Sequence, residues 1–183
     1  MSVSIKTRLG YDSVITEDWI GFLLEQNIDA ITIHGRIAKQ MSKGEANWKE
    51  VGRAVKLKNK ISPKTMLIGN GDILNYRDAK KMFDDFGVDG IMIGRGIFSD
   101  PWVFEKTLKV KMHNREEYVS ILLDHLKLHN ETWGGTKNFA IMKKFFKMYI
   151  KDFAGANELR QNLMETTNSI QVEQILSGRL KTI

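Results

Sequence analysis

Cysteine is absent from this chain of 183 residues, and proline occurs only twice. Without cysteine the chain has no disulfide, no thiolate metal site and no cysteine nucleophile of its own, and no metal site is predicted. No apolar run approaches the roughly 18 residues that a membrane-spanning helix needs. The first residues, MSVSIKTRLG, do not resemble a signal peptide, because they place Lys6 and Arg8 in a strand-like segment. These absences favour a soluble, cytoplasmic protein that makes no use of a membrane.

The composition fits one or two globular domains, with 42% hydrophobic and 27% charged residues. The formal net charge is +6 and the pI is about 9.4. An excess of positive charge favours a polyanionic partner. A lysine-rich solvated surface explains the same excess equally well, so charge alone does not separate the two interpretations.

The first hundred residues alternate between strand-like and helix-like periodicity. Four segments predict strands and three predict helices, at the spacing of successive βα units. Such an order indicates an α/β fold with a parallel sheet. The predicted strands are 3–9, 29–35, 65–70 and 89–96, and the predicted helices are 16–27 (with Thr16 as N-cap), 48–60 and 76–87 (ending at Gly87).

The pattern changes around Pro101, after which no strand-like alternation occurs. Asp100 and Pro101 are typical of a helix start, so a helix is predicted from residue 101. Further helices are predicted over 114–132, 137–153 and 156–178, separated by Gly134-Gly135 and by Gly155. The chain is therefore divided into a βα region, 1–104, and an all-helical region, 105–183.

Two predicted strands end in glycine-rich turns, IGNGDI (68–73) and IGRG (93–96). Glycines at strand ends let backbone N–H groups approach an anion closely. In (β/α)8 barrels, the loops after the last two strands commonly bind phosphate. Arg95 adds a guanidinium suited to the same ligand. An isolated Asn-Gly turn is also an ordinary connection, so the prediction depends on the two loops occurring in consecutive units.

Polar residues also fall where the other strands end. His34 follows the apolar run ITI, and Lys6, His34, Asn70 and Arg95 come at the carboxyl ends of successive strands. Ligands bind at that edge of a parallel sheet. Lys6 and Arg8 are two residues apart and share one face of their strand, which suits the mouth of a barrel. A lone histidine is more often structural, so only the convergence of the four residues indicates a site.

Four motifs in order carry a resemblance to a known family. VSIKTRLGYD, ITIHGRIAKQMSKGEANW, LIGNGDI and DGIMIGRGIFSDPWVFE resemble consecutive signatures of the tRNA-dihydrouridine synthases, flavin enzymes that reduce uridine in tRNA. The resemblance covers nearly all of residues 3–104. KMYIKDFAGANELRQNLMETTN (147–168) is similar to the helical C-terminal domain of the family.

The resemblance implies a partial (β/α)8 TIM barrel, its last four βα units, that binds FMN and is followed by a helical tRNA-binding domain. NAD(P)H would be the reductant. By motif position, Lys6 would contact the flavin ring and His34 would lie near the flavin and its phosphate. The ribityl phosphate would be held by Asn70, Gly71, Asp72, Gly94 and Arg95.

The family's catalytic cysteine belongs to the half of the barrel that this chain lacks. The resemblance therefore implies no catalytic residue within these 183 residues and a chain that is a C-terminal portion of the enzyme. A half-barrel exposes sheet edges, which favours self-association. A homodimer is accordingly expected if the half-barrel is expressed alone.

Basic residues of the helical region are the predicted RNA contacts. Lys143, Lys147 and Lys151 follow one another at intervals of four, with Lys144 adjacent, and Arg160 joins them. A solvated lysine face on a core helix is the alternative. The resemblance to a tRNA-modifying family favours phosphate contacts by these residues and by Arg36.

Two other functions remain open from the sequence. The first is a non-enzymatic RNA-binding module derived from the same family, in which the half-barrel supports the basic helices. The second is another phosphate-binding barrel enzyme, such as a sugar-phosphate isomerase. The second explains the glycine-rich loops but neither the basic helices nor the long motif that begins at His34.

Overall fold

The structure is a computed structural model of the chain, and it describes residues 1–105 and 113–180. The chain divides into two compact units, Met1–Leu108 and Lys109–Ile183. Within the described ranges, no helix is both long and apolar enough to cross a bilayer.

The first unit is an α/β unit built on a parallel sheet in the order β1-β2-β3-β4. Each of the first three strands is followed by a helix that returns the chain to the end of the sheet where the strand began. The next strand therefore runs in the same direction. The elements are β1 Ser4–Arg8, α1 Thr16–Leu24, β2 Ala30–His34, α2 Trp48–Ile61, β3 Met66–Asn70, α3 Tyr76–Phe86, β4 Gly90–Met92 and the short α4 Gly96–Ser99.

One face of the sheet packs against the helices and forms the core. Ile31, Ile33 and Leu67 point to this face and are completely buried. Gly69 lies on the same face, where a Cβ atom would be 2.5 Å from the ring of Trp48. Glycine is needed there because the first side chain of α2 lies directly against the backbone of β3.

The opposite face carries polar side chains in rows that run across the strands. Arg8 pairs in register with His34, and His34 pairs with Asn70. Lys6 and Thr32 form the preceding row. Because side chains alternate between faces along a strand, these residues share the face away from the helices.

The described residues of the second unit form four helices around an apolar core. The core includes Leu122, Met142, Phe146 and Leu163, which are at most 1% exposed. The helices are α5 Arg115–Trp133, α6 Ala140–Tyr149, α7 Ala156–Glu165 and α8 Ser169–Leu180. A capping box between Asn114 and Glu117 begins α5, and Gly155, in a left-handed conformation, precedes α7.

Most predicted elements of the first unit are confirmed to within three residues at each end, with two corrections. Thr16 is not an N-cap; it is the first residue of α1, and its hydroxyl donates instead to Glu50 at 2.6 Å. The fourth strand, predicted over 89–96, covers only Gly90–Met92, because the glycine-rich segment leaves the sheet and turns into α4.

Three helix predictions near and within the second unit need correction. Residues 101–104 form turns rather than a helix, although the Asp100 carboxylate does accept a bond from the Trp102 N–H at 2.9 Å. The continuation of that predicted helix beyond Glu105 falls on residues 106–112, which lie outside the described residues. The helix predicted over 137–153 is only Ala140–Tyr149, and the one predicted over 156–178 is divided at Thr166, whose hydroxyl bonds to the carbonyl of Leu163 and ends α7.

Candidate functional site

A cleft of about 790 Å³ opens at the carboxyl ends of the strands of the first unit. All but one of the residues predicted to bind cofactor line it, together with one basic residue that the prediction did not include. The predicted residues in the lining are His34, Asn70, Gly71, Asp72, Gly94 and Arg95, and the additional basic residue is Arg8.

Arg36 lies beside this cleft, outside its lining, and is bonded to two residues that line it, His34 and Asp72. It is 2% exposed, and its Nη2 donates to both carboxylate oxygens of Asp72, at 2.7 and 2.6 Å, and to the carbonyl of Gly44 at 2.5 Å. Nη1 lies 3.2 Å from His34 Nε2. The prediction that Arg36 contacts RNA is therefore corrected: a buried guanidinium already bonded to protein acceptors has no free surface to offer a phosphate.

Asp72 anchors the glycine-rich turn that follows β3. Besides Arg36, its carboxylate accepts a bond from the N–H of Ala46 at 2.7 Å. Burial acts to raise the pKa of Asp72, but the bonds from Arg36 and Ala46 and the charges of Arg36 and Arg95 outweigh burial and hold it below its usual value. The carboxylate therefore remains ionised and joins the turn to the loop between β2 and α2.

Backbone conformation at the turn requires glycine at one position. Gly71 has a φ of +130° and Asp72 a φ of +54°. The Gly71 carbonyl accepts a bond from Trp48 Nε1 at 3.0 Å, and a Cβ atom at Gly71 would lie 2.6 Å from Ala46 Cβ. The turn is thus tied to α2 on one side and open toward the cleft on the other.

Four amides of the two glycine-rich loops are free to bind a ligand. Among the described residues, no hydrogen bond joins the N–H groups of Gly71, Asp72, Gly94 or Arg95 to a protein acceptor. The Arg95 side chain is 66% exposed and lies 3.7 Å from Asp72. These donors and one guanidinium, on adjacent loops, form a concentration of positive potential that suits a phosphate group.

Asn70 has a structural contact within the same edge of the sheet. Its Nδ2 donates to the carbonyl of Met92 at 2.7 Å, and its own carbonyl accepts from the N–H of Gly35 at 3.0 Å. The residue therefore fixes the ends of β2, β3 and β4 relative to one another. Its side-chain oxygen bonds to no other group among the described residues and is left for a ligand.

His34 lies in the cleft as a neutral imidazole. Burial lowers its pKa first, and the positive charges of Arg8, Arg36 and Lys6 lower it further, to about 4, against a smaller opposing effect of Asp72. Because folded His34 resists protonation while the unfolded residue titrates near 6.5, this residue reduces stability as the pH falls from about 6.5 toward 4.

The two cations of β1 differ in their places. Lys6 does not line the cleft and lies one row further from the mouth, in register with Thr32. Arg8 lines it, and its Nη1 donates to the carbonyls of Ile37 and Met41 at 3.0 and 2.7 Å. The alternation of side chains along β1 places Arg8 on the same face as Lys6. This alternation was sufficient to predict Arg8 as a cofactor-binding residue.

A second basic site lies in the helical unit. Lys147, Lys151 and Arg160 line a groove of about 680 Å³. Lys143 and Lys144 are not in its lining: Lys143 Nζ donates to the carbonyl of Met164 at 2.5 Å, and Lys144 lies over the Phe145 ring. The predicted stripe is thus reduced to a cluster, because α6 ends at Tyr149 and the chain turns before Lys151.

Comparison with known proteins gives a consistent result over the whole chain. The family model described as dihydrouridine synthase matches residues 1–182. A probable tRNA-dihydrouridine synthase 2 of Bacillus subtilis is 39% identical over 178 residues, which cover 96% of this chain and 54% of that protein. Probable tRNA-dihydrouridine synthases of Staphylococcus aureus and Staphylococcus epidermidis are 37% identical with the same coverage. The chain thus spans about half the length of these relatives.

Proposed function

This chain belongs to the dihydrouridine synthase family, and from that premise we propose that it is the phosphate-binding and RNA-binding portion of an FMN-dependent tRNA-dihydrouridine synthase. Its four strands are the last four of a (β/α)8 barrel, and the second unit is an all-helical tRNA-binding domain. The parallel order β1-β2-β3-β4 and the polar row at the strand ends support this arrangement.

The observation that carries the proposal is the group of free amides beside Arg95. A phosphomonoester needs several donors on a small area and little steric hindrance. A Cβ atom at Gly94 would meet no atom within 4 Å, so the loop leaves open space for the ligand. The cleft volume of about 790 Å³ is within the range of roughly 300–1,000 Å³ typical of cofactor sites. The residues present therefore fit FMN bound through its phosphate.

The role of this chain's own residues is to bind FMN and to orient its ring system. The loops after β3 and β4 bind the phosphate, while Lys6, Arg8 and His34 lie further along the strand ends, where the ring system would extend. Bound FMN, reduced by NAD(P)H, would supply the hydride that converts uridine to 5,6-dihydrouridine. No catalytic side chain is assigned to this chain, because the cysteine that the family uses is absent from it.

Binding of FMN and riboflavin to the purified chain tests the phosphate site. We expect FMN to bind about 10–100-fold more tightly than riboflavin, because charge-assisted hydrogen bonds contribute about 1.5–3 kcal/mol and riboflavin lacks the phosphate. Arg95→Ala should remove much of that preference and leave riboflavin binding unchanged. Quenching of flavin fluorescence during a titration measures both affinities.

Arg53→Ala is the matched control, since Arg53 is 55% exposed and pairs with Glu50 on a helix outside the cleft. Equal affinity for the two flavins in the unmodified chain, or an Arg53→Ala effect as large as that of Arg95→Ala, would refute the phosphate site.

The groove of the helical unit is the proposed RNA contact. Phosphate contacts by Lys147, Lys151 and Arg160 would position the RNA without reading its bases. We expect Lys147→Glu to weaken tRNA binding about 3–10-fold near physiological salt and to reduce the slope of log K against log salt by about 1. Filter binding or fluorescence anisotropy at several salt concentrations measures both quantities.

Lys127→Glu provides the comparison, because Lys127 is 75% exposed on α5 and is not in the lining of the groove. Equal weakening by both charge reversals would mean that only net charge matters. Such a result would contradict a contact at this groove.

The basic groove of the helical unit would also serve a second candidate, a non-enzymatic RNA-binding module of the same family, because contacts to RNA phosphates need no flavin. In that case tRNA binding would depend on Lys147 while FMN and riboflavin would bind equally weakly. The flavin and tRNA titrations above therefore separate the two functions.

A further inference from the structure

We propose that Arg36 is a positioning residue that fixes His34 as the neutral imidazole with its proton on Nδ1, so that His34 presents a permanent hydrogen-bond donor to a carbonyl oxygen of the ligand in the cleft. The ring state follows from contacts within this chain alone. The identity of the carbonyl as part of a flavin or a uracil ring rests on the proposed function.

The protonation pattern follows from what an arginine can do. A guanidinium has hydrogen-bond donors and no acceptor, and it stays charged at all ordinary pH values. Arg36 Nη1 lies 3.2 Å from His34 Nε2, so the bond between them requires an unprotonated Nε2. A neutral imidazole carries its proton on the other nitrogen, which is therefore Nδ1.

The Nδ1 atom is available to a ligand. His34 lines the cleft, and within the described residues Nδ1 has no protein partner and is not among the buried nitrogens that lack one. The Cδ2 side of the ring is turned toward Gly71, since a Cβ atom built at Gly71 would be 3.1 Å from His34 Cδ2. The contact between Nε2 and Arg36 orients the ring, and Nδ1 lies on its other side.

The surrounding charges keep the ring neutral. Lys6 and Arg8 face it from β1 and Arg36 from the loop after β2. Within residues 1–105 and 113–180, Asp72, on the loop after β3, is the one negative group that acts on the ring. Asp72 is bonded to Arg36 through both oxygens. Arg36 therefore occupies the carboxylate that would otherwise favour a charged His34, and it also bonds to Nε2.

This assignment differs from an acid–base role for His34. A neutral histidine whose unprotonated nitrogen, Nε2, is already bonded to a guanidinium neither gives nor takes a proton near neutral pH. It orients a ligand, and it does so without adding a net charge to the cleft. Arg36 acts on the ligand only through His34 and Asp72.

Nitrogen-15 NMR of the purified chain tests the inference without any cofactor. Two-bond proton–nitrogen correlation spectra distinguish the two neutral tautomers, and the His34→Gln variant identifies the signals of His34 among the four histidines. We expect a protonated Nδ1 and an unprotonated Nε2, unchanged from about pH 8 to about pH 5. In Arg36→Met we expect the fixed tautomer to be lost and His34 to titrate between about pH 5 and 7, because Asp72 is then unpaired.

Arg53→Met is the matched control and should leave the His34 signals unchanged, since Arg53 is surface-exposed and pairs with Glu50. A proton on Nε2 in the unmodified chain, or titration of His34 above about pH 6 there, overturns the inference even if Arg36→Met does not fold. An unchanged tautomer and titration in a folded Arg36→Met would overturn the role of Arg36. Failure of FMN to bind would affect only the proposed function.

Discussion

Replacing Gly71 by alanine is expected to weaken FMN binding by about 10–100-fold, which is the whole contribution expected of the phosphate and the largest functional effect among the variants considered. The φ of +130° at Gly71 is one that side-chain-bearing residues rarely adopt, and the new Cβ would lie 2.6 Å from Ala46 Cβ. Backbone strain of this kind costs on the order of 1–3 kcal/mol, and relieving it requires the turn to move. Movement of the turn displaces the amides of Gly71 and Asp72 from the phosphate position.

Gly21→Ala is the matched control for this substitution. Gly21 lies within α1, where a Cβ atom would meet Ile61 at an ordinary contact distance of 3.9 Å. Alanine is favoured over glycine in a helix interior by about 1 kcal/mol, so that chain should be at least as stable and bind FMN normally. FMN binding by Gly71→Ala at the affinity of the unmodified chain would show that the turn does not form the phosphate site.

Replacing Asp72 by alanine is expected to reduce the free energy of unfolding of the first unit by about 3 kcal/mol. Arg36 would keep its charge at 2% exposure with no carboxylate to compensate it. Removing one partner of a buried ion pair costs about 3–5 kcal/mol. We expect a cost at the lower end of this range, because the Asp72 side chain is itself 36% exposed and Arg36 retains its bond to Gly44. Urea unfolding followed by tryptophan fluorescence measures the change.

The contribution of Asp72 to the free energy of unfolding should also decrease as the pH falls. Its folded-state pKa is depressed, so the carboxylate contributes stability above the unfolded value of about 3.9 and loses it as the pH falls through the lower folded value. The difference between Asp72→Ala and the unmodified chain should therefore be full near pH 7 and shrink in strong acid.

Asp12→Ala is the surface comparison for the ion pair. Asp12 is 59% exposed and lies 3.6 Å from an equally exposed Lys39, so its loss should cost about 0–1 kcal/mol. If Asp72→Ala and Asp12→Ala had equal small effects, the carboxylate of Asp72 would not be compensating a buried charge.

Local periodicity was sufficient to locate most elements. A strand such as ITIH alternates side chains between two faces, and a helix such as that beginning at Trp48 repeats its apolar side chains every three to four residues. Both patterns arise within a single segment, so they can be recognised without knowing what the segment packs against. The ends of helices and strands were predicted wrongly where a contact with a distant residue or an irregular turn determines them. Thr16 looked like a cap but bonds to Glu50, 34 residues away.

The candidate site shows the same division. His34, Asn70 and Arg95 were predictable because parallel strands that alternate with helices bring their carboxyl ends to one edge. The structure also brings Arg8 to that cleft. The lysines of the helical region were harder to place, since the end of α6 at Tyr149 decides which of them share a groove.

The sequence by itself determined the parallel order of βα units, the glycine-rich loops at the strand ends and the family to which the chain belongs. It could not determine the role of Arg36, because the sequence alone shows only a basic residue and not the groups that surround it. Asp72 lies 36 residues further along the chain, and only folding brings it within 2.6 Å of that guanidinium. The physical reason is that backbone periodicity is a local property, whereas burial and charge pairing depend on groups far apart in the chain.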